Sequence, residues 1–359
     1  MQTPNHSTTP KPILGVGIVG CGLIGTKRAQ ALAALSQQYK LIACFDKDPA
    51  RASRFAQAHS ESVSASVTTS VTTSVIVAPS IDTLLHHPEI QVVVIATLHD
   101  SLAELTLKAV KAGKHVLVEK PAARNVDELS PVIEAVAKTN LKVHVGFNHR
   151  YHRSLRKAKE IVDSGELGDL MFIRARYGHG GRLGYEREWR ADPRLSGGGE
   201  LIDQGPHLID LSRWFLGEFK EIQGFAHTYF WDTVVDDNGF MILKTAKEQV
   251  AFLHASCTEW KNLFSMEIYG KVGKLDLSGL GGSYGVEKIT HFKMLPQMGP
   301  PETTSWEYPR ADDSWAVELL EFYSDIVLDR NPESGLGCAL AALRVVETIY
   351  KESGYDHRS

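Results

Sequence analysis

The chain has 359 residues, more than a single hydrophobic core ordinarily serves, so we expect two domains. Its 43% hydrophobic and 23% charged residues are typical of a soluble globular protein, and a net charge of −4 gives no reason to expect nucleic acid or an acidic membrane surface as a partner. No apolar run approaches the roughly eighteen residues of a transmembrane helix, so we expect no membrane span.

The polar segment 1–12 lacks the apolar core of a signal peptide, and we expect it to be a disordered tail. The cysteines lie far apart and mostly in apolar segments, at Cys21, Cys44, Cys257 and Cys338. This spacing predicts reduced, buried thiols in a cytoplasmic protein rather than a disulfide framework.

A glycine-rich turn organises the first half of the chain. Segment 13–19 is an apolar, β-branched run typical of a buried parallel strand, and GCGLIG at 20–25 leads from it into an Ala-rich helix. The first glycine permits the turn, the second lets the backbone approach a diphosphate, and the third lets the helix pack close to the strand. With Asp46 ending the next apolar run, the pattern predicts a dinucleotide site rather than a ligand-free turn. The predicted cofactor contacts in the turn are Gly20, Gly22, Leu23, Ile24 and Gly25.

The rest of the first half alternates between predicted helices and predicted strands. The predicted helices are 49–58, 81–87, 103–111 and 126–138, and the predicted strands are 92–97, 115–118 and 143–147. Segment 60–80 repeats Val-Thr-Thr-Ser, and its composition favours a strand near 71–77 after a surface insertion. The alternation predicts a doubly wound parallel sheet of the Rossmann type over 13–146.

The pattern changes near residue 146. The predicted helices are now 155–163, 206–215, 315–328 and 339–351, and the strand-like runs are 170–177, 222–229, 239–243, 249–256, 264–269 and 273–277. Most of these runs have no helix between them, so we expect residues 147–359 to form an α+β domain with a large, open, mainly antiparallel sheet. The glycine-rich segment 279–285 has no helix after it and is predicted to be a loop, not a second nucleotide site.

Ligands of open α/β sheets bind at the carboxyl ends of the strands. The side chains predicted there, and expected to contact the cofactor, are Asp46, Thr97, His99, Glu119, Lys120 and Asn148. A lysine at a strand end is more often a solvated charge, but Lys120 lies at the cofactor edge and Pro121 directs the chain after it, which favours a role in the site.

A second cluster is GGGELIDQGPH at 197–207. Pro206 suits the first turn of a helix, which puts Asp203 in the approach to that helix and His207 in its first turn, so both can face one pocket. A helix N-terminus would keep His207 neutral, whereas Asp203 opposes this effect and could orient the ring. The alternative is that Asp203 caps the helix and His207 is a packed polar residue.

These motifs resemble those of the Gfo/Idh/MocA oxidoreductases, which include glucose-fructose oxidoreductase and inositol dehydrogenases. The matching segments follow the family's order: GIVGCGLIG with Asp46, VVVIAT at 92–97, AGKHVLVEKP at 112–121, VGFNHRY at 145–151 and GGGELIDQGPHLIDLSRW at 197–214. The resemblance implies a Rossmann domain, a second domain with a large open sheet, and hydride transfer at a sugar or cyclic-polyol carbinol. It also implies Lys120, Asp203 and His207 as the catalytic set.

Oxidation of a secondary alcohol needs a base for the hydroxyl proton and a cation near the developing alkoxide. We expect His207 to be the base and Lys120 the cation, with Asp203 orienting His207 or holding a neighbouring hydroxyl. The residues predicted to bind substrate are Lys120, Tyr151, Trp189, Arg190, Asp203 and His207, with His179, Arg182 and Asn148 as further candidates. The Arg-rich loop could equally hold the phosphates of a nucleotide sugar, or be a solvated charged loop.

Asp46 is placed to bind both ribose hydroxyls and to repel a 2′-phosphate, so we expect NAD rather than NADP, a preference that Lys47 and Arg51 would weaken. No metal is expected, because His149 and His152 lie close in sequence without an evident third ligand. The resemblance implies a homodimer or homotetramer, since an open sheet must cover one face. The alternatives to a dehydrogenase are an NAD-using glycoside hydrolase of the same family and a non-catalytic NAD-binding regulator.

Overall fold

The computed structural model describes residues 12–64 and 74–355 and gives only the backbone of 61–64. The first of two sheets has six parallel strands in the order β3-β2-β1-β4-β5-β6. Its strands are β1 Leu14–Val19, β2 Tyr39–Phe45, β3 Ile76–Val77, β4 Val92–Ile95, β5 His115–Glu119 and β6 Val143–Gly146. Its helices are α1 Leu23–Ala33, α2 Pro49–Ser64, α3 Ile81–Leu85, α4 His99–Lys111 and α5 Val126–Val136. Strands β1 and β4 are buried along their whole length, as expected where helices cover both faces.

The second sheet has eight strands in the order β14-β13-β12-β11-β7-β10-β9-β8, and only the β7–β10 pair is parallel. Its strands are β7 Leu170–Gly178, β8 Phe219–His227, β9 Asn238–Thr245, β10 Val250–Ser256, β11 Leu263–Gly270, β12 Gly273–Ser278, β13 Glu287–Lys293 and β14 Glu302–Tyr308. The helices of this half are α6 Arg153–Asp163, α7 Pro193–Ser196, α8 Glu200–Asp203, α9 Gly205–Leu216, α10 Ser314–Val327 and α11 Leu336–Ser353. The predicted combination of a parallel sheet and a mainly antiparallel one is confirmed.

The two faces of the second sheet differ in character. In β7, Ile173 and Ala175 are buried on the inner face, where α9 and α11 pack. The outer face exposes Phe225, Ile242 and Phe252 by 72%, 45% and 48%. Apolar side chains this exposed on one sheet face indicate a surface suited to a partner.

Several predicted bounds differ from the observed ones. Helix α2 continues to Ser64, beyond the predicted end at 58, and the predicted strand near 71–77 is limited to Ile76–Val77, with 65–73 outside the described residues. Helix α4 begins at His99, one turn before the predicted start. Strands β13 and β14 were not predicted. Strand β14 is a polar edge strand with exposed side chains, so it lacks the hydrophobic alternation of a half-buried strand.

Helix α10 returns the chain to the first sheet. Leu319 and Phe322 are fully buried in the same apolar cluster as Val16 of β1, and the hydroxyl of Tyr39 donates to the carbonyl of Leu319 at 2.9 Å. The domain boundary near residue 146 stays a prediction, and the contacts of α10 with the first sheet join residues from its two sides. Among the described helices, none is long and apolar enough to span a membrane.

Candidate active site

The glycine turn has the geometry that a dinucleotide needs. Gly20 has a φ of +95°, in the region that favours glycine. A Cβ on Gly25 would lie 2.0 Å from the carbonyl oxygen of Gly20, so close packing of helix on strand requires glycine there. A Cβ on Gly22 would meet no atom within 4 Å, so packing inside the chain does not require that glycine. A phosphate that approaches the N-terminus of α1 closely does require a glycine there. The turn therefore fits a diphosphate. Ile24 lines the adjoining cavity, and Leu23 is 75% exposed.

Asp46 follows β2 and lies beside this turn. Its carboxylate accepts hydrogen bonds from the backbone N–H groups of Cys21 at 2.8 Å and Asp48 at 2.9 Å. The Arg51 guanidinium lies 3.6 Å from the same carboxylate. The acidic group is thereby held at the position where a ribose is bound in this kind of fold.

A cavity of about 440 Å³ lies at the carboxyl ends of the parallel strands and is also lined by residues from the second half of the chain. The predicted residues that line it are Ile24, Thr97, His99, Glu119, Lys120, Asn148, Trp189, Arg190, Asp203 and His207. The fold therefore brings the two predicted clusters, one from each half of the chain, into a single site.

Lys120 and Asp203 are in direct contact. The Lys120 Nζ donates to the main-chain carbonyl and to Oδ1 of Asp203, at 2.6 Å each. Arg190 donates from Nε to the other carboxylate oxygen at 2.8 Å. Burial alone would raise the pKa of Asp203, but the positive charges of Lys120 and Arg190 lower it well below its usual range, so the carboxylate is ionised. Helix α9 has no side-chain cap, so Asp203 does not cap it.

His207 lies in the first turn of α9 and is 4% exposed. Its ring packs against that of His149 at a tilt of 31°, with centroids 3.8 Å apart. Burial, and then the positive charge of Lys120, lower the pKa of His207 well below its ordinary value. The ring is therefore neutral near pH 7 and able to accept a proton. Because the hydrogen bonds of the Asp203 carboxylate go to Lys120 and Arg190, Asp203 acts on His207 through its charge rather than as a bonded orienting group.

His99 lies on the other side of Asp203. Its Nδ1 donates to the carbonyl of Ser196 at 2.8 Å, its ring meets Trp189 edge-on at 4.9 Å, and its Nε2 lies 3.8 Å from Asp203. Burial and the charge of Lys120 lower its pKa to about 4, so the ring is neutral. His99 thus joins α4 to the segment that carries the catalytic cluster.

Glu119, predicted to contact the cofactor, is tied into a buried ion-pair network. It accepts from Arg28 Nε at 2.8 Å, and Arg28, which has no exposed surface, also bonds Glu318 of α10. Burial raises the pKa of Glu119, although Arg28 acts to lower it. The network fixes α1 and α10 to the strand end that carries Lys120.

The one-turn helix Asn148–Tyr151 divides its side chains between two directions. Asn148 and His149 line the cavity, and Asn148 donates to the Ser314 hydroxyl at 3.1 Å. Tyr151 is 3% exposed, is absent from the cavity lining and packs near His144. The structure therefore does not bring Tyr151 to the cavity lining.

Two other polar candidates lie outside the lining. Arg182 is exposed and pairs with Glu188 at 2.7 Å, and His179 lies 3.6 Å from Glu200. The polar and aromatic lining residues that the sequence did not predict are Lys27, His149, His152, Tyr177, Gln204, Ser283, Tyr284, Asp312 and Trp315. The only signal for some of them was the glycine-rich loop 279–285, which enters the cavity. Among the described residues, no group of three or more His, Cys, Asp or Glu side chains could hold a metal ion.

Two family models match the chain. Residues 14–147 match the oxidoreductase family with an NAD-binding Rossmann fold, and residues 155–276 match the GFO/IDH/MocA C-terminal domain. Levoglucosan dehydrogenase of Pseudarthrobacter phenanthrenivorans is 28% identical over 244 residues, covering 65% of this chain and 59% of that protein. Inositol 2-dehydrogenase of Gluconacetobacter diazotrophicus is 28% identical over 212 residues, covering 58% and 57%. The chain thus spans less than two thirds of the length of these relatives.

Solved structures match over nearly the whole chain. Levoglucosan dehydrogenase in complex with NADH has a TM-score of 0.83 at 21% identity, covering 95% of this chain and 98% of that one. Aldose-aldose oxidoreductase from Caulobacter crescentus, complexed with glycerol, has a TM-score of 0.80 at 22% identity, covering 96% and 98%. At such identities the likeness shows the fold alone. With both family models matched in order, the chain belongs to the GFO/IDH/MocA family of NAD-binding oxidoreductases.

Proposed function

We propose that this protein is an NAD-dependent dehydrogenase that oxidises a secondary carbinol of an uncharged sugar or cyclic polyol. The observation that carries the proposal is the grouping of a charged Lys120, held by Asp203 at 2.6 Å, with a neutral His207 in one cavity beside the dinucleotide turn. Hydride removal from an alcohol needs this combination of a cation and a base.

The residues divide the work between them. The glycine turn, Asp46 and the cavity-lining Thr97 would hold the cofactor, which when bound accepts the hydride. His207 takes the hydroxyl proton, and Lys120 stabilises the charge that develops on the oxygen. Asp203 keeps Lys120 in place, since it is the acceptor of two Lys120 hydrogen bonds.

Asp46 supports NAD over NADP. Its carboxylate is held beside the turn by two backbone N–H groups, and a negative charge there repels a 2′-phosphate. Arg51 lies 3.6 Å away and weakens this repulsion.

The charges of the loop between β7 and α8 favour an uncharged substrate over a nucleotide sugar. Arg190 bonds Asp203 at 2.8 Å, Arg182 bonds Glu188 at 2.7 Å and Arg194 bonds Asp192 at 2.8 Å, so each of these arginines has a carboxylate partner. A phosphate would have to displace these partners. The names of the similar dehydrogenases, levoglucosan and inositol 2-dehydrogenase, agree with a sugar or cyclic polyol.

The outer face of the second sheet supports a homodimer or homotetramer. Phe225, Ile242 and Phe252 expose apolar surface there, and a second copy would cover it. Size-exclusion chromatography tests this, and a monomer at all concentrations would count against it.

The function is tested with a panel of inositols, aldoses, anhydrosugars and nucleotide sugars, following NADH absorbance. Steady NADH formation with an uncharged polyol supports the proposal. Substrate cleavage without net NADH would indicate the glycoside-hydrolase alternative instead. NAD binding without turnover of any member of the panel would favour the regulator.

A further inference from the structure

Three histidines follow one another from the candidate base to the outer part of the cavity. The ring of His207 lies 3.8 Å from that of His149, and the ring of His149 lies 5.6 Å from that of His152, measured between centroids. All three line the cavity and are at most 5% exposed. We call these three residues the histidine row.

The outer end of the histidine row lies between two carboxylates. His152 Nδ1 lies 2.8 Å from Glu287, and its Nε2 lies 4.0 Å from Asp312. Glu287 also accepts from the backbone N–H and the hydroxyl of Ser154, at 3.0 Å each. The Asp312 side chain is 30% exposed, so the row ends at a group that water can reach.

The inner end has two ring nitrogens without a bonding partner. Among the described residues, His207 Nδ1 and His149 Nε2 are buried and make no hydrogen bond. The other His149 nitrogen, Nδ1, faces the Asn148 amide oxygen at 3.3 Å and is therefore assigned the hydrogen, which leaves Nε2 with a free lone pair. Unpaired buried nitrogens are costly to folding and call for a role.

We propose that the histidine row carries the substrate's hydroxyl proton from His207 through His149 and His152 to solvent at Asp312. The inference rests on the proposed function. The carbinol hydrogen leaves as hydride with the electron pair of its C–H bond, which the bound nicotinamide cofactor would accept, and the O–H proton bonds to His207. One proton then leaves the row at its outer end for each alcohol oxidised. Because neighbouring rings of the row are tilted or edge-on to one another and share no direct hydrogen bond, each transfer uses a ring rotation or one bridging water.

The charges around the row favour outward movement. Burial lowers the pKa of both His207 and His149 well below the ordinary value, and the positive charge of Lys120 adds to this effect in each case. Burial acts to raise the pKa of Glu287, but the hydrogen bond from His152 brings it below its usual value, so an ionised carboxylate stabilises positive charge at the outer end. The other titratable groups facing the row are Asp203, Tyr177 and Asp312.

The test variant is His152→Gln, which keeps a side chain able to hydrogen-bond Glu287 but cannot carry a proton. The matched control is His291→Gln, since His291 is 6% exposed on the same strand as Glu287 and lies outside the cavity lining. In weak buffer, His152→Gln should lower kcat for alcohol oxidation about tenfold or more, and added imidazole should restore it. The solvent deuterium isotope effect should increase in this variant and remain unchanged in the control.

A second readout does not depend on turnover. With ¹⁵N-labelled histidine, NMR of the protein without substrate should show slower solvent exchange of the His207 ring proton in His152→Gln than in wild type. If wild type oxidises a polyol and His152→Gln has the same rate, isotope effect and response to imidazole, the proposed role of the histidine row is wrong and the proposed function stands. Slowed exchange in an enzyme that oxidises no polyol supports a proton path along the three histidines, but overturns the proposed function and with it the transfer of an alcohol's proton.

Discussion

Lys120 donates its ammonium to both the main-chain carbonyl and the carboxylate of Asp203, at 2.6 Å each. The sequence predicts that Asp203 orients His207 or holds a neighbouring substrate hydroxyl, whereas in the structure its carboxylate accepts hydrogen bonds from Lys120 and Arg190. We therefore expect the effects of substituting Lys120 and Asp203 on kcat to depend on one another.

A double-mutant cycle tests this coupling. Lys120→Ala should lower kcat about a hundredfold, because one charge-stabilising donor is lost. Asp203→Asn should also lower kcat, and the double variant should be little worse than Lys120→Ala, with a coupling of about tenfold or more in rate. Lys114→Ala, which removes a lysine bonded to the carbonyls of His87 and Ile90, serves as the control and should keep its kcat. Additive losses would show that Asp203 works independently of Lys120.

The pH dependence follows from the lowered pKa of His207. A base must be unprotonated, so kcat/KM for oxidation should be lost as pH falls through that pKa and should be level above it. The midpoint should lie below about 6.5, the ordinary histidine value. Lys120→Met removes a positive charge that lowers this pKa. The acidic limb of the variant's kcat/KM profile should therefore lie at higher pH than that of wild type. An unmoved limb in Lys120→Met would contradict the electrostatic account.

Cofactor choice depends on Asp46. Asp46→Ser should shift the ratio of kcat/KM values toward NADP, because the charge that repels a 2′-phosphate is removed. Arg51→Ala should shift the ratio the other way. A wild-type enzyme that clearly prefers NADP would refute the assignment of NAD.

The buried ion pairs of Arg28 should matter to stability. Arg28→Met leaves Glu119 and Glu318 buried without their common cation, and should lower the free energy of unfolding by about 3 kcal/mol or more. Arg194→Met, which breaks an ion pair of an 86% exposed arginine, should change it by less than about 1 kcal/mol. Chemical denaturation of both variants makes the comparison, and equal stabilities would rule out the structural role of Arg28.

The parts of the site that the sequence predicted are those with local signals. A glycine turn between a strand and a helix identified Gly20 and Gly25, and a lysine at a strand end identified Lys120. Asp312 and Trp315 come from a segment whose local sequence gives no sign that it reaches the cavity, and their positions depend on how α10 packs. Tyr151 was misplaced because the sequence cannot show which side of a single tight turn faces the cavity.

The central claim is that His207 is the base of a polyol dehydrogenase. Rapid mixing of enzyme, NAD and the best uncharged substrate from the panel, with NADH followed over a single turnover, tests it most directly. The account predicts that His207→Ala forms NADH about a hundred to ten thousand times more slowly than wild type, while its affinity for NAD is unchanged. An His207→Ala enzyme that forms NADH at the wild-type rate would contradict it.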